Sequence, residues 1–125
     1  MDLKKYFTST KGLGVLATSN DQGVVNTAVY ARPHVIGKNR VAFIMTPRLT
    51  HENLQSNPRA SYLFHEAGFE HAGKRLMLTM VGESTDSRKI EALRRRTTPA
   101  ICSGKKGDRR YLVTFRIDKV LPLTN

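Results

Sequence analysis

Cysteine is almost absent: Cys102 stands alone in 125 residues. That excludes an intrachain disulfide and any cysteine-based zinc site. No stretch approaches the ~18 consecutive apolar residues that a transmembrane helix needs. The opening MDLKKYFTST lacks the apolar segment of a secretory signal, so a cytoplasmic protein without a membrane anchor is expected. Internal repeats, low-complexity tracts and linker-like stretches are missing too, which leaves one domain, residues 1–125. Acids are scarce: 10 Asp and Glu face 21 Lys and Arg, a formal net charge of +11.

What is present begins with that charge. A strong basic excess suits an anionic partner such as nucleic acid, a membrane surface or a phosphorylated small molecule. Much of it falls late, in Arg94, Arg95, Arg96, Lys105, Lys106, Arg109 and Arg110, around the loop TTPAICSGKKGD. A solvated basic surface accounts for such a cluster equally well. Apolar residues make up 39% of the chain, enough for a small core that a cofactor or second subunit would enlarge.

Period-two alternation dominates and points to a β-rich domain. GLGVLATS (12–19) reads as a strand ending in the turn Asn20-Asp21-Gln22-Gly23. A second strand spans 24–36 and a third 41–45. A short helix is expected over about 50–57, with Thr50 as N-cap, Glu52 at the positive end of its dipole and Pro58 closing it. Strands follow at 59–66 and 75–83, with Leu76, Leu78 and Met80 on one face. A second helix is expected over 86–97, with Ile90, Leu93 and Ala92 facing inward and Arg94, Arg95 and Arg96 at its C-terminal end. A last strand, 111–117, sets Tyr111, Val113, Phe115 and Ile117 against Leu112, Thr114 and Arg116. Six strands in hairpin order with two short helices predict a small antiparallel barrel, closed or partly open.

Two segments carry candidate chemistry. In the second strand the odd positions Val25, Thr27, Val29, Ala31 and Val35 suit a core. The even positions align Asn26, Tyr30, Arg32 and His34. Pro33 removes a backbone donor, so this end of the strand must be an edge or a bulge. The second segment is Met45-Thr46-Pro47-Arg48-Leu49-Thr50-His51. It supplies hydroxyls, a guanidinium and the first amides of a helix, the parts that bind a phosphate. His65, Glu66, Glu70 and His71 share a loop, but their spacing does not bring metal ligands together. Cys102 lies near basic residues that would lower a thiol pKa. No Ser-His-Asp set or carboxylate pair stands out, and no residue is singled out as catalytic.

Together these segments resemble the FMN-binding split-barrel proteins related to pyridoxamine 5′-phosphate oxidase. The resemblance runs from GVLATSNDQGVVNTAVYARPH through RVAFIMTPRLTHENLQSNPRASYLF to YLVTF. It implies a six-stranded antiparallel split β-barrel that works as a homodimer with FMN at the interface. Carried over by position, Tyr30, Ala31 and Arg32 would lie along the flavin. Thr46, Arg48, Leu49, Thr50 and Asn53 would surround the phosphate and ribityl chain. Where the oxidase has a lysine, four residues before the helix leucine, this chain has Thr50, so Arg48, assisted by His51, must supply the charge. Lys74, Arg75, Arg109 and Arg110 are candidates to face the flavin from the partner subunit. The chain ends without the oxidase's aromatic and arginine-rich tail, which argues against a true pyridoxamine-phosphate oxidase. The implied function is a flavin-dependent oxidoreductase or electron-transfer protein, exchanging electrons with a small molecule or another protein.

Two other functions fit parts of the sequence. A nucleic-acid-binding module would use the net charge, but stacking platforms need exposed aromatics, and only 7% of residues are aromatic. Nucleic acid is therefore not the expected partner. A haem-binding split barrel would need an axial ligand from His34, His51 or His65.

Overall fold

The computed structural model describes residues 2–94 and 109–124. Arg95, Arg96, Cys102, Lys105, Lys106 and the expected helical residues 95–97 lie outside them. The order of elements is α1 (Leu3–Ser9), β1 (Gly12–Ser19), β2 (Val25–Val29), β3 (His34–Ile36), β4 (Arg40–Met45), α2 (Leu49–Ser56), β5 (Arg59–Glu66), β6 (Gly73–Ser84), α3 (Ser87–Arg94) and β7 (Tyr111–Pro122).

All seven strands join one antiparallel sheet in the order β2-β1-β5-β6-β7-β4-β3. The two edge strands, β2 and β3, are neighbours in sequence, joined by residues 30–33 alone. Laid flat, seven strands at ~4.8 Å spacing would separate those edges by roughly 29 Å. Five residue steps reach at most roughly 18 Å. The sheet must therefore curl until its edges face each other, and the chain itself crosses the seam.

The inside of the curl is the core. Leu16, Val41, Met45, Tyr62, Phe64, Leu76, Leu78, Val113 and Phe115 are essentially inaccessible. Phe43 makes the ring contacts at its centre, 5.0 Å from Tyr62 and 5.9 Å from Phe115. α1 closes one end by inserting Leu3 and Phe7, the latter 5.3 Å from Phe64. Outside the sheet, α3 rests Ile90 on Ala42 and Leu112 as a second, smaller cluster. The inward sets Leu76/Leu78/Met80 and Tyr111/Val113/Phe115/Ile117 fall on the expected face. No helix among the described residues is long and apolar enough to cross a membrane.

The fold departs from expectation in four places. There are seven strands, because the segment 24–36 breaks at residues 30–33. There the Tyr62 hydroxyl lies 3.2 and 3.1 Å from the carbonyls of Tyr30 and Ala31, replacing ladder partners. There are three helices among the described residues: α1 starts on Asp2, whose side chain accepts the Lys5 N–H. The cap of α2 is Arg48, two residues before the expected Thr50. Finally, Val25, Thr27 and Val29 point outward, with Val25 and Val29 77% and 70% exposed. As an edge strand, β2 turns its polar even positions towards α2 and leaves its valines on the outer face.

Candidate cofactor site at the start of the second helix

α2 is anchored by Leu54, which is buried in the core. The residue four positions earlier shares that face of a helix, and the adjacent residue borders it. This places Asn53 and Thr50 inward, and both are buried, as are Thr46 at the end of β4 and His51. The neighbouring strands answer with polar groups of their own. Asn26 Nδ2 donates to Thr50 Oγ1 at 3.4 Å. The Tyr30 phenol is hydrogen-bonded to the same hydroxyl, while burial pushes its pKa above the ordinary tyrosine value. Asn53 Nδ2 donates to Thr18 Oγ1 at 3.1 Å. Arg48 Nε donates to Thr46 Oγ1 at 3.1 Å. The result is a cluster of neutral hydroxyls and carboxamides with one guanidinium beside it.

The helix is open at this end. Its N-cap residue, Arg48, is extended and makes no side-chain capping bond. An arginine carries only donors, so it has nothing to offer the free amides of a first turn. The first bond along the helix runs from Glu52 N–H to the Arg48 carbonyl at 2.9 Å. The amides of Leu49, Thr50 and His51 thus precede any intrahelical partner. Such amides, at the positive end of the dipole and next to an arginine, suit an anionic acceptor.

His51 is committed to other groups. Its Nε2 lies 2.7 Å from Glu83 Oε2 on β6, and its ring stacks on Tyr111 of β7 at 3.9 Å and 20°. The guanidinium at the helix start itself is that of Arg48, the N-cap residue. Arg32 directs Nη1 to the carbonyls of Phe7 and Thr10, at 3.0 and 2.9 Å, closing the C-terminal end of α1. Ala31 is the backbone acceptor of Tyr62. Leu49 is 52% exposed beside the open amides.

The four further candidates fall in two places. Lys74 Nζ stands 4.7 Å above the Tyr6 ring, and Arg75 Nε donates to the Pro122 carbonyl at 2.8 Å. Arg109 and Arg110 lead into β7, next to the His51–Tyr111 stack. Arg109 bonds to Tyr111, which raises its pKa, and Arg110 Nε is buried with no partner among the described residues. His34, His51 and His65 are spread over β3, α2 and β5. No group of three or more potential metal ligands forms among the described residues.

Sequence reasoning did not place Thr18, Glu83 or Tyr62 in this region. Thr18 left a signal, a hydroxyl at the core-facing parity of Gly14 and Leu16. Glu83 and Tyr62 left none, because each meets its partner about thirty residues away along the chain.

No family model matches the sequence, and no curated protein matches it. Solved structures do match. An FMN-binding protein from Syntrophomonas wolfei subsp. wolfei superposes with a TM-score of 0.76 over 98% of this chain and 84% of its own, at 17% identity. The fold is the split β-barrel. An F420 reductase gives a TM-score of 0.74 over 96% of this split barrel and 97% of its own chain, at 14% identity. A protein from Lactobacillus delbrueckii assigned as a pyridoxamine 5′-phosphate oxidase gives 0.71 over 97% and 92%, at 13% identity. In this split barrel the seam lies between β2 and β3, and the open start of α2 sits against β2 at that seam's edge.

Proposed function

We propose that this split barrel binds FMN at the start of α2 and serves as a flavin-dependent oxidoreductase or electron-transfer protein. The observation that carries the reading is the uncapped helix start: three amides without intrahelical partners, an arginine as the cap residue, and buried hydroxyls and carboxamides beside them. One helix terminus with one guanidinium suits one terminal phosphate, as FMN has. Thr46, Thr50 and Asn53 are the groups placed to meet a ribityl chain. FMN, when bound, supplies hydride or electron transfer. The neighbours named for FMN and for F420 support a cofactor of flavin type in this fold.

The protein is also proposed to be a homodimer. Val29, Val15 and Leu63 stand in register across β2, β1 and β5, all on the outer face. Val25, Leu13 and Met77 extend the same surface, and Leu49 is exposed at the start of α2. A contiguous apolar face of this kind marks a contact surface, which a second copy would cover.

The test is the absorption spectrum of the freshly purified protein, with mass spectrometry of what heat releases. A yellow protein releasing FMN is expected, and release of FAD or F420 would correct the cofactor. A colourless protein that fails to bind added FMN would overturn the reading. Arg48→Ala is expected to weaken FMN binding about tenfold, equivalent to ~1.4 kcal/mol, in a fluorescence titration.

A further inference from the structure

A row of like charges crosses the outer face of the sheet from β5, just after the C-terminal end of α2, to β4. Arg59, Thr79, Arg116 and Arg40 are in direct register across β5, β6, β7 and β4, so their side chains leave the same face. Like charges at opposed positions, such as Arg116 and Arg40, destabilise a sheet. One carboxylate answers them. A bulge opposite Met77 and Leu78 puts Asp118 out of register, where bulges re-aim a side chain. Asp118 accepts from Thr79 Oγ1 at 2.5 Å and from Arg116 Nε at 2.8 Å, and lies 4.0 Å from Arg59. These bonds hold its pKa below the usual carboxylate value, so it stays charged.

The compensation stops there. Among the described residues, no carboxylate forms an ion pair with Arg40, Lys38 or Lys119. Lys38, Asn39, Lys119 and the Arg116-bonded carboxylate of Asp118 border a groove of about 380 Å³ floored by Leu3, Ile117 and Val120. An apolar floor with cations along its rim fits a molecule with an apolar body and a charged end.

We propose that this groove and the adjoining arginine row bind an organic phosphate, its body on Leu3, Ile117 and Val120 and its phosphates among Lys38, Lys119, Arg40 and Arg116. A single-stranded nucleic acid is the weaker fit, because no aromatic lines the groove to stack a base. A second copy is weaker still, because pairing two such surfaces opposes like charges. The site does not depend on the flavin reading. Residues 117–120 lie about 20–30 Å along β7 from Tyr111, where that strand meets α2.

The test is a backbone-amide NMR titration of the full chain at low salt, with ADP as probe and adenosine as control. ADP is expected to shift Lys38, Asn39 and residues 117–120, and adenosine to shift nothing. Arg40→Gln with Lys119→Gln should weaken ADP at least tenfold. Asp118→Asn, which removes the competing carboxylate, should tighten it several-fold, and Arg48→Ala should leave it unchanged. Absence of ADP shifts at millimolar concentration would overturn the proposal. So would shifts confined to the first turn of α2, or equal binding by an oligothymidylate that the Arg40/Lys119 variant does not weaken. All the substituted residues are exposed, and circular dichroism checks that each variant is folded.

Discussion

Tyr62 is inaccessible, yet its hydroxyl reaches two carbonyls in the segment that crosses the seam. On β1, Gly14 is the residue that makes room for it: a Cβ there would collide with the Tyr62 hydroxyl and with the Tyr30 carbonyl. The three groups form one fitted contact. Tyr62→Phe removes the one hydroxyl proton that these two part-buried carbonyls share and should cost about 1–3 kcal/mol, read from urea unfolding. Gly14→Ala should cost at least as much. Burial also pushes the Tyr62 phenol above its ordinary pKa, with the Arg32 charge pulling the other way. A raised native pKa means that the unfolded chain ionises first. Stability is therefore retained below about pH 10 and declines as pH rises from there towards the native value. Thermal unfolding between pH 9 and 11 should show a shallower decline in Tyr62→Phe than in the wild type.

At the scale of elements, the two helices of the first half invite comparison. α1 begins on Asp2, which accepts a bond from Lys5 N–H; α2 begins on Arg48, which accepts none. A chain that uses a good cap in one place and omits it in another keeps the second helix end for something else. Arg48→Asp supplies the missing acceptor and should raise stability by about 0.5–2 kcal/mol. The same carboxylate would repel a phosphate, so FMN binding should be lost while the melting temperature rises. An arginine that served stability alone would not give these opposite signs. This is also where sequence reading reached its limit. The boundaries of β5 and the inward faces of β6 and β7 follow from local alternation and were legible. Which side of β2 faced inward was not, since period two reveals the two faces without saying which one a neighbour covers. The break at residues 30–33 was half legible: Pro33 marked it, but the tyrosine that holds it open lies some thirty residues on. Arg32 was expected along the flavin and His51 as an aid to Arg48, and tertiary contacts with α1 and with Glu83 and Tyr111 commit them elsewhere.

For the whole molecule, the distribution of surface types divides the barrel's outside into regions. α3 covers Ala42 and Leu112, the arginine row crosses β5, β6, β7 and β4, and the valines and leucines of β2, β1 and β5 remain uncovered. Val29→Glu places a charge in the middle of that apolar region. Light scattering coupled to size exclusion should then show a monomer where the wild type is a dimer, and the variant should lose FMN on the column. A wild type that elutes as a monomer and still retains FMN would show that the site needs no second copy.

The seam has one more consequence. Seven strands are stitched by six ladders, and none of those ladders joins β2 to β3. A cut in the peptide chain between residues 29 and 34 falls between two strands that share no ladder, whereas a cut at any of the hairpin turns falls between two that do. If the original ends were joined by a linker, a circularly permuted chain opened at the seam would begin with β3 and end with β2. It would keep every backbone hydrogen bond of the sheet, and the barrel's sequence order would become the order in which its edges were drawn together.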